Sequence, residues 1–227
     1  MKKSKLFLNV LILTLVSNAS YAQVVKEVKV GTQIWMEENL TVSTFRNGDT
    51  IPQAKTEKEW ETATNQKKPV WCYYDNDTSL NNNSKFGKLY NWYAVCDPRG
   101  LAPLGWHVPA SSEWEAILVN LGGVRSVNGR FLDCGQKIKS STDWFIESKA
   151  VVKPGTKVTP SLFKGYPVGV RTWDGKFEGK SFRTYWWCLD ERDWREGYII
   201  QADYSSSMVV KWSIDKGYGI SVRCVKD

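Results

Sequence analysis

The sequence predicts an α+β fold with two central helices, short antiparallel strands and long irregular loops. Three observations carry that expectation. Helical spacing of apolar residues is confined to the middle of the chain. Short β-branched and aromatic runs fill both ends. Gly, Pro, Ser and Asn crowd the stretches between them. No low-complexity linker divides residues 23–227, so they read as a single domain.

Residues 1–22 have the three-part pattern of a cleavable signal peptide. Lys2, Lys3 and Lys5 precede the apolar stretch Leu6 to Val16, and Ser20-Tyr21-Ala22 places small residues at −3 and −1 before Gln23. The apolar stretch is shorter than the ~20 residues of a membrane-spanning helix, and no later stretch is long enough either. The expectation is a secreted protein of the bacterial periplasm, cell surface or medium, with no transmembrane segment.

From Val24 to Ile51 the pattern is strand-like. Val25, Val28 and Val30 lead to a turn at Gly31, then Ile34-Trp35-Met36, with Asn47-Gly48-Asp49 as a tight-turn signal. Residues 53–69 are charged and read as a surface helix or loop around Trp60. Val70 to Tyr74 is a short aromatic strand, and the polar stretch Asp75 to Lys85, with Asn81-Asn82-Asn83, is a loop. Phe86, Leu89, Tyr90, Tyr93 and Cys96 predict the first central helix by their spacing of three and four. The second follows Pro109: Trp114, Ile117, Leu118 and Leu121 share a face, and Gly122-Gly123 stop it. Arg125 to Pro167 reads as irregular. Strands are predicted at Phe182 to Leu189, Tyr198 to Ala202, Met208 to Ile214 and Ile220 to Val225. Residues 164–171 (KGYPVGVR) resemble residues 216–223 (KGYGISVR), which similar strand entries explain as well as duplication does.

Composition removes several function classes. Once the three leader lysines are discounted, the formal charge of +7 falls to +4. The basic residues are dispersed, so nucleic acid is not an expected partner. The single histidine, His107, rules out a multi-histidine zinc site and leaves a Ser-His-Asp hydrolase one candidate base. His107 itself is expected to hydrogen-bond within its Pro-bounded turn. The five cysteines form no CxxC pair, and export makes disulfides plausible, with at least one thiol left over.

Several segments together resemble the Fibrobacter succinogenes major paralogous domain, a family of exported bacterial proteins. They are residues 31–40 (GTQIWMEENL), 45–49 (FRNGD), 71–77 (WCYYDND), 87–95 (GKLYNWYAV), 97–103 (DPRGLAP), 105–109 (GWHVP) with Glu113-Trp114, Tyr185-Trp186-Trp187 and 218–225 (YGISVRCV). The resemblance implies a C-type-lectin-like architecture. Trp106 to Glu115 is similar to the helix start of the formylglycine-generating enzymes, which share that architecture and use a cysteine pair for oxidation. Two departures stand out. Cys188-Leu-Asp-Glu191 follows the aromatic triplet where the family usually has small hydroxyl residues. Ala110 stands where the helix cap is usually threonine, so Ser111 is expected to cap instead. Cys188 with Cys224, or Cys72 with Cys224, are the candidate disulfides.

Twelve tryptophans are the outstanding feature of the composition. Trp35, Trp71, Trp92, Trp106, Trp114, Trp186 and Trp187 are assigned to the core, where indoles give a loop-rich domain large buried area. Trp173 and Trp194 sit among charges and turn residues and, with Tyr198 and Tyr204, form the candidate ligand-binding surface. Asp190, Glu191 and Asp193 border it. With Glu196 these acids could bind calcium or act as a glycosidase pair, but the interleaved Arg192 and Arg195 favour a solvated, neutralised loop. No cofactor is expected beyond a weak calcium signal, which Asp75-Asn-Asp77 also carries. The function expected is a non-catalytic binding module, for a glycan or a surface protein. A structural or adhesion component of a surface complex is the alternative, then a formylglycine-generating-like or glycan-active enzyme.

Overall fold

Alternation of side chains along the last third of the chain builds the largest of three sheets. A computed structural model describes residues 25–79, 86–145 and 163–227. The expected signal peptide, the Asn81-Asn82-Asn83 loop and part of the irregular stretch before Pro167 lie outside them. In chain order the amino-terminal elements are β1 (Glu27–Val30), β2 (Gln33–Met36), α1 (Glu57–Asn65), β3 (Trp71–Cys72), β4 (Leu89–Tyr90) and α2 (Trp92–Val95). β5 (Trp106–His107), α3 (Ser111–Asn120), β6 (Val124–Arg125), β7 (Arg130–Leu132), α4 (Gly135–Ile138), β8 (Val170–Arg171) and β9 (Phe177–Glu178) follow. The chain closes with β10 (Arg183–Glu191), β11 (Glu196–Asp203), β12 (Val209–Asp215), β13 (Ile220–Ser221) and β14 (Val225–Lys226). The protein is thus mixed α+β, mostly sheet.

The larger sheet runs β3-β4-β13-β10-β11-β12-β7-β6. In β10 the consecutive residues Trp186 and Trp187 pair with Ile200 and Ile199 of β11. Successive strand side chains leave on opposite faces, so the two indoles enter different cores. Trp187 packs with Tyr90, Leu40, Phe45 and Val222. Trp186 packs with Trp35, Trp114, Ile117 and Phe163 beneath α3. Both faces of this sheet segment are covered, and all seven tryptophans assigned to the core are buried. A third cluster gathers Trp60, Val70, Tyr74, Leu89 and Val168. The smaller of the two main sheets runs β1-β2-β14-β5, so the last strand lies between two early ones, and β8 with β9 forms a third sheet of two strands.

The structure corrects four expectations. The stretch Phe86 to Cys96 is not one helix: Leu89 and Tyr90 pair with β3 and β13, and only Trp92–Val95 is helical, capped by the Asn91 side chain. Strand pairing overrides the local spacing. Residues 57–65 do form a helix, with Thr56 and Glu59 as a capping box, but Trp60 is fully buried and its Nε1 donates to the Gly217 carbonyl at 3.0 Å. The stretch read as irregular after Arg125 contains β7 and α4.

The fourth correction concerns the cysteines, all five of which are free. Cys72, Cys188 and Cys224 lie in three different core clusters, so neither candidate pairing forms. Burial lifts the Cys72 thiol to about 12 despite the nearby Arg171 charge, and raises Cys188 and Cys224 well above the ordinary thiol range. Inert, protonated core thiols are the result.

Candidate functional site

Two hairpin turns present two of the three exposed tryptophans, Trp173 and Trp194; the third, Trp212, lies on β12. Between β10 and β11, Asp193 Oδ1 accepts the backbone N–H groups of Arg195 and Glu196 at 2.8 and 2.9 Å, the local side-chain-to-backbone closure that favours Asp in turns. Trp194 at the tip of that turn is 78% exposed. Between β8 and β9, the Thr172 hydroxyl accepts the Lys176 N–H at 3.1 Å and leaves Trp173 48% exposed. Although 21 positions apart, both indoles line one groove of about 320 Å³.

The groove's polar wall follows from strand register. Glu196 pairs with Asp215, which brings Arg195 beside it, and Arg195 Nε donates to Asp215 Oδ2 at 2.9 Å. Asp215 Oδ1 accepts the Gly217 N–H at 2.8 Å. The Gly217 carbonyl in turn accepts from Trp60 and Thr64 of α1, which brings the end of that helix to the groove. A Cβ at position 217 would come within 2.1 Å of Thr64 Cγ2, so only glycine permits this approach. Tyr93 of α2 supplies a third aromatic ring, and burial raises its phenol pKa.

Helix α1 ends in an unusual way. Lys67 N–H donates to Thr64 O and Lys68 N–H to Ala63 O, the paired closing bonds of a Schellman turn. Glycine usually takes the left-handed position of that turn, yet Lys67 occupies it with φ 54°. Such a conformation costs a non-glycine residue on the order of 1 kcal/mol. Lys67 is exposed and lines the groove beside Arg195.

The other candidate residues disperse. Tyr198 packs against the α3-side core, with Lys211 Nζ 5.1 Å from its ring centre. Tyr204 joins Phe145 and Phe182 in a separate aromatic cluster, with ring centres 5.5 and 5.3 Å away. Asp190 receives the Ser111 backbone N–H and hydroxyl at 2.5 and 2.6 Å. It therefore does for α3 what neither Ala110 nor Ser111 does, and the expected Ser111 cap is corrected: Ala110 holds the cap position and Ser111 opens the helix. Glu191 pairs with Lys216, and Glu196 with Arg192. Of the two arginines expected to neutralise these acids, only Arg192 does so; Arg195 turns to Asp215. Among the described residues no cluster of three metal-ligating side chains occurs. His107 reaches outside its turn, with Nδ1 2.7 Å from Asp227 and Nε2 3.0 Å from Glu113. Burial opposes its charge, but those two carboxylates outweigh it and raise its pKa.

Thus Trp173 and Trp194 come together, and Lys67, Tyr93, Arg195 and Asp215 join them unanticipated. Arg195 and Asp215 are findable from the pairing of two well-patterned strands. Lys67 carries a fainter signal, a lysine directly after a helix where a stop glycine is expected. Tyr93 carries none, because its spacing points to a core face.

Among the described residues, no helix is long and apolar enough to cross a membrane. Comparison with curated proteins gives no match. Comparison with solved structures gives none either. The family description "Fibrobacter succinogenes major domain" matches residues 28–226, which takes in all three sheets and the groove. The chain belongs to the Fibrobacter succinogenes major domain family.

Proposed function

We propose that the chain is an exported, non-catalytic binding module that holds a carbohydrate in the Trp173–Trp194 groove. The observation that carries this reading is the convergence of two exposed indoles from separate hairpins on one groove with an ordered ion pair in its wall. Flat aromatic faces stack on the C–H faces of sugar rings, and a few placed polar groups orient the hydroxyls. Isolated exposed apolar residues need no explanation, but two large aromatics in one concavity do. The groove is shallow, which suits a chain or chain end better than an enclosed small molecule. A C-type-lectin-like architecture belongs to the same reading, supported by the pairing of β2 with the terminal β14 and by the loops carried on the larger sheet. A second reading, adhesion to another surface protein, draws support from the stacked and half-exposed Phe145 and Phe182.

Trp fluorescence titrated with an oligosaccharide panel, with sugar release followed in parallel, tests the proposal. Saturable binding without release is expected, and Trp173→Ala and Trp194→Ala should each weaken it by about tenfold, roughly 1–2 kcal/mol. Binding unchanged in both variants would move the site elsewhere, and sugar release would make the protein an enzyme.

A further inference from the structure

We infer that the groove selects carboxylate-bearing saccharides, the uronic-acid oligomers, over neutral ones; this rests on the carbohydrate reading above. Two cations line the groove against one anion. Asp215 is already committed, one oxygen to Arg195 Nε and the other to the Gly217 N–H. Arg195 engages Asp215 through Nε alone, which leaves the two terminal nitrogens of its fork without a partner among the described residues, on a side chain 65% exposed. That fork is the geometry that receives a carboxylate through two parallel N–H bonds. Lys67 forms no ion pair among the described residues. It also stands in a left-handed position that glycine would fill with less strain. A residue held against its backbone preference at a groove wall points to a role for its side chain.

The aromatic rings and the charges divide the work. Trp173, Trp194 and Tyr93 offer stacking faces that any pyranose can use. Lys67 and the Arg195 fork add attraction only where the sugar carries a carboxylate. A neutral oligomer would leave Lys67 without a counter-charge and the terminal nitrogens of Arg195 without a carboxylate. An anion without sugar rings would forgo the aromatic faces.

The test titrates the full chain with oligomers of galacturonic, glucuronic and mannuronic acid, each beside its carboxyl-reduced counterpart, which keeps the rings and loses the charge. Polyglutamate serves as the ring-free polyanion. At least one uronate should bind ten times or more tightly than its reduced form and than polyglutamate. Lys67→Gly should weaken that uronate by about tenfold while leaving the reduced oligomer unaffected and the unfolding midpoint unchanged or raised. Arg195→Gln should weaken it similarly, with Arg195→Lys recovering only part. Equal affinity for acid and reduced forms overturns the charge preference while leaving the carbohydrate reading standing. Equal affinity for polyglutamate overturns it too, as simple polyanion attraction. Uronate binding that Lys67→Gly and Arg195→Gln leave intact removes these residues from the site. No binding of any saccharide overturns both readings.

Discussion

The two similar octapeptides end in arginines that are both fully buried, yet the arginines are held differently. Arg223 lies over Phe163 and near Trp186, its guanidinium carbon 4.4 and 5.6 Å from the ring centres. Its Nε and Nη2 donate to Asn39 Oδ1 at 3.2 and 2.7 Å, and Nη1 donates to the Phe163 carbonyl. Asn39 is itself buried and takes a third bond from Trp186 Nε1 at 2.9 Å. Arg171 sits between Trp60 and Phe177 and donates to the carbonyls of Gly175 and Ala54 at 2.9 and 3.0 Å. Its Nη2 finds no hydrogen-bond partner among the described residues. The segments also touch, since Arg171 and Gly219 exchange backbone hydrogen bonds. A loop-rich domain has many backbone carbonyls outside regular ladders, and a guanidinium stacked on aromatics can satisfy several at once. Similar local sequence recruits that device twice. The quality of each copy depends on what the rest of the fold brings to it.

The sharpest way to break this comparison is to remove each arginine. Arg223→Ala leaves the Phe163 carbonyl without its donor, leaves Asn39 Oδ1 with Trp186 Nε1 alone, and opens a cavity, so urea denaturation should register a loss of about 3–5 kcal/mol. Arg171→Ala breaks fewer bonds and should cost less by about 1 kcal/mol, the net worth of one hydrogen bond. Equal losses would mean that aromatic stacking, not carbonyl satisfaction, sets the strength of both anchors.

Asp190 offers a half-buried counterpart, a side chain from β10 that closes the start of α3. Asp190→Ala should lower stability by about 1 kcal/mol, as loss of a helix cap does. A loss as large as that of Arg223 would show that burial is not what distinguishes the anchors.

The smallest expected effect is at His107, which ties β5 to Asp227 and α3. Its folded pKa is raised, so its stabilising contribution is complete below the unfolded value of about 6.5. The contribution fades as pH rises through the folded value. Exposure of the pair limits it to a fraction of a kcal/mol. Unfolding midpoints measured from pH 5 to 9 should show a small downward component that His107→Gln abolishes. A pH profile identical in the variant would deny the histidine any part in closing that seam.

The carboxyl-terminal strands were legible because long runs of alternating residues report their own faces, and Trp186-Trp187 could be assigned to the core without knowing that it serves two cores. Leu89-Tyr90 were misread because two residues of strand are defined by their partners, not by their own pattern. The charged neighbours of Trp60 give no sign that the indole is buried; its burial depends on the Gly217 turn, 157 positions away. At the groove, isolation among turn residues singled out Trp173 and Trp194, whereas the cationic wall depends on register and on a helix end. Asp190, Glu191 and Asp193 were drawn toward a ligand because charge in a sequence does not state whether it is already spent on the fold.

The position of β14 has a consequence for the order of events during synthesis. Val225 pairs with both Trp35 of β2 and His107 of β5. A chain made amino end first exposes the open edges of β2 and β5 while more than a hundred residues are added after β5. The smaller sheet closes only when its final strand arrives. Completion of this domain is thus a late, long-range event, with the slow folding that distant contacts impose. Truncation by a handful of residues at the carboxyl end would leave the amino-terminal hairpin without its partner, however intact the rest of the molecule.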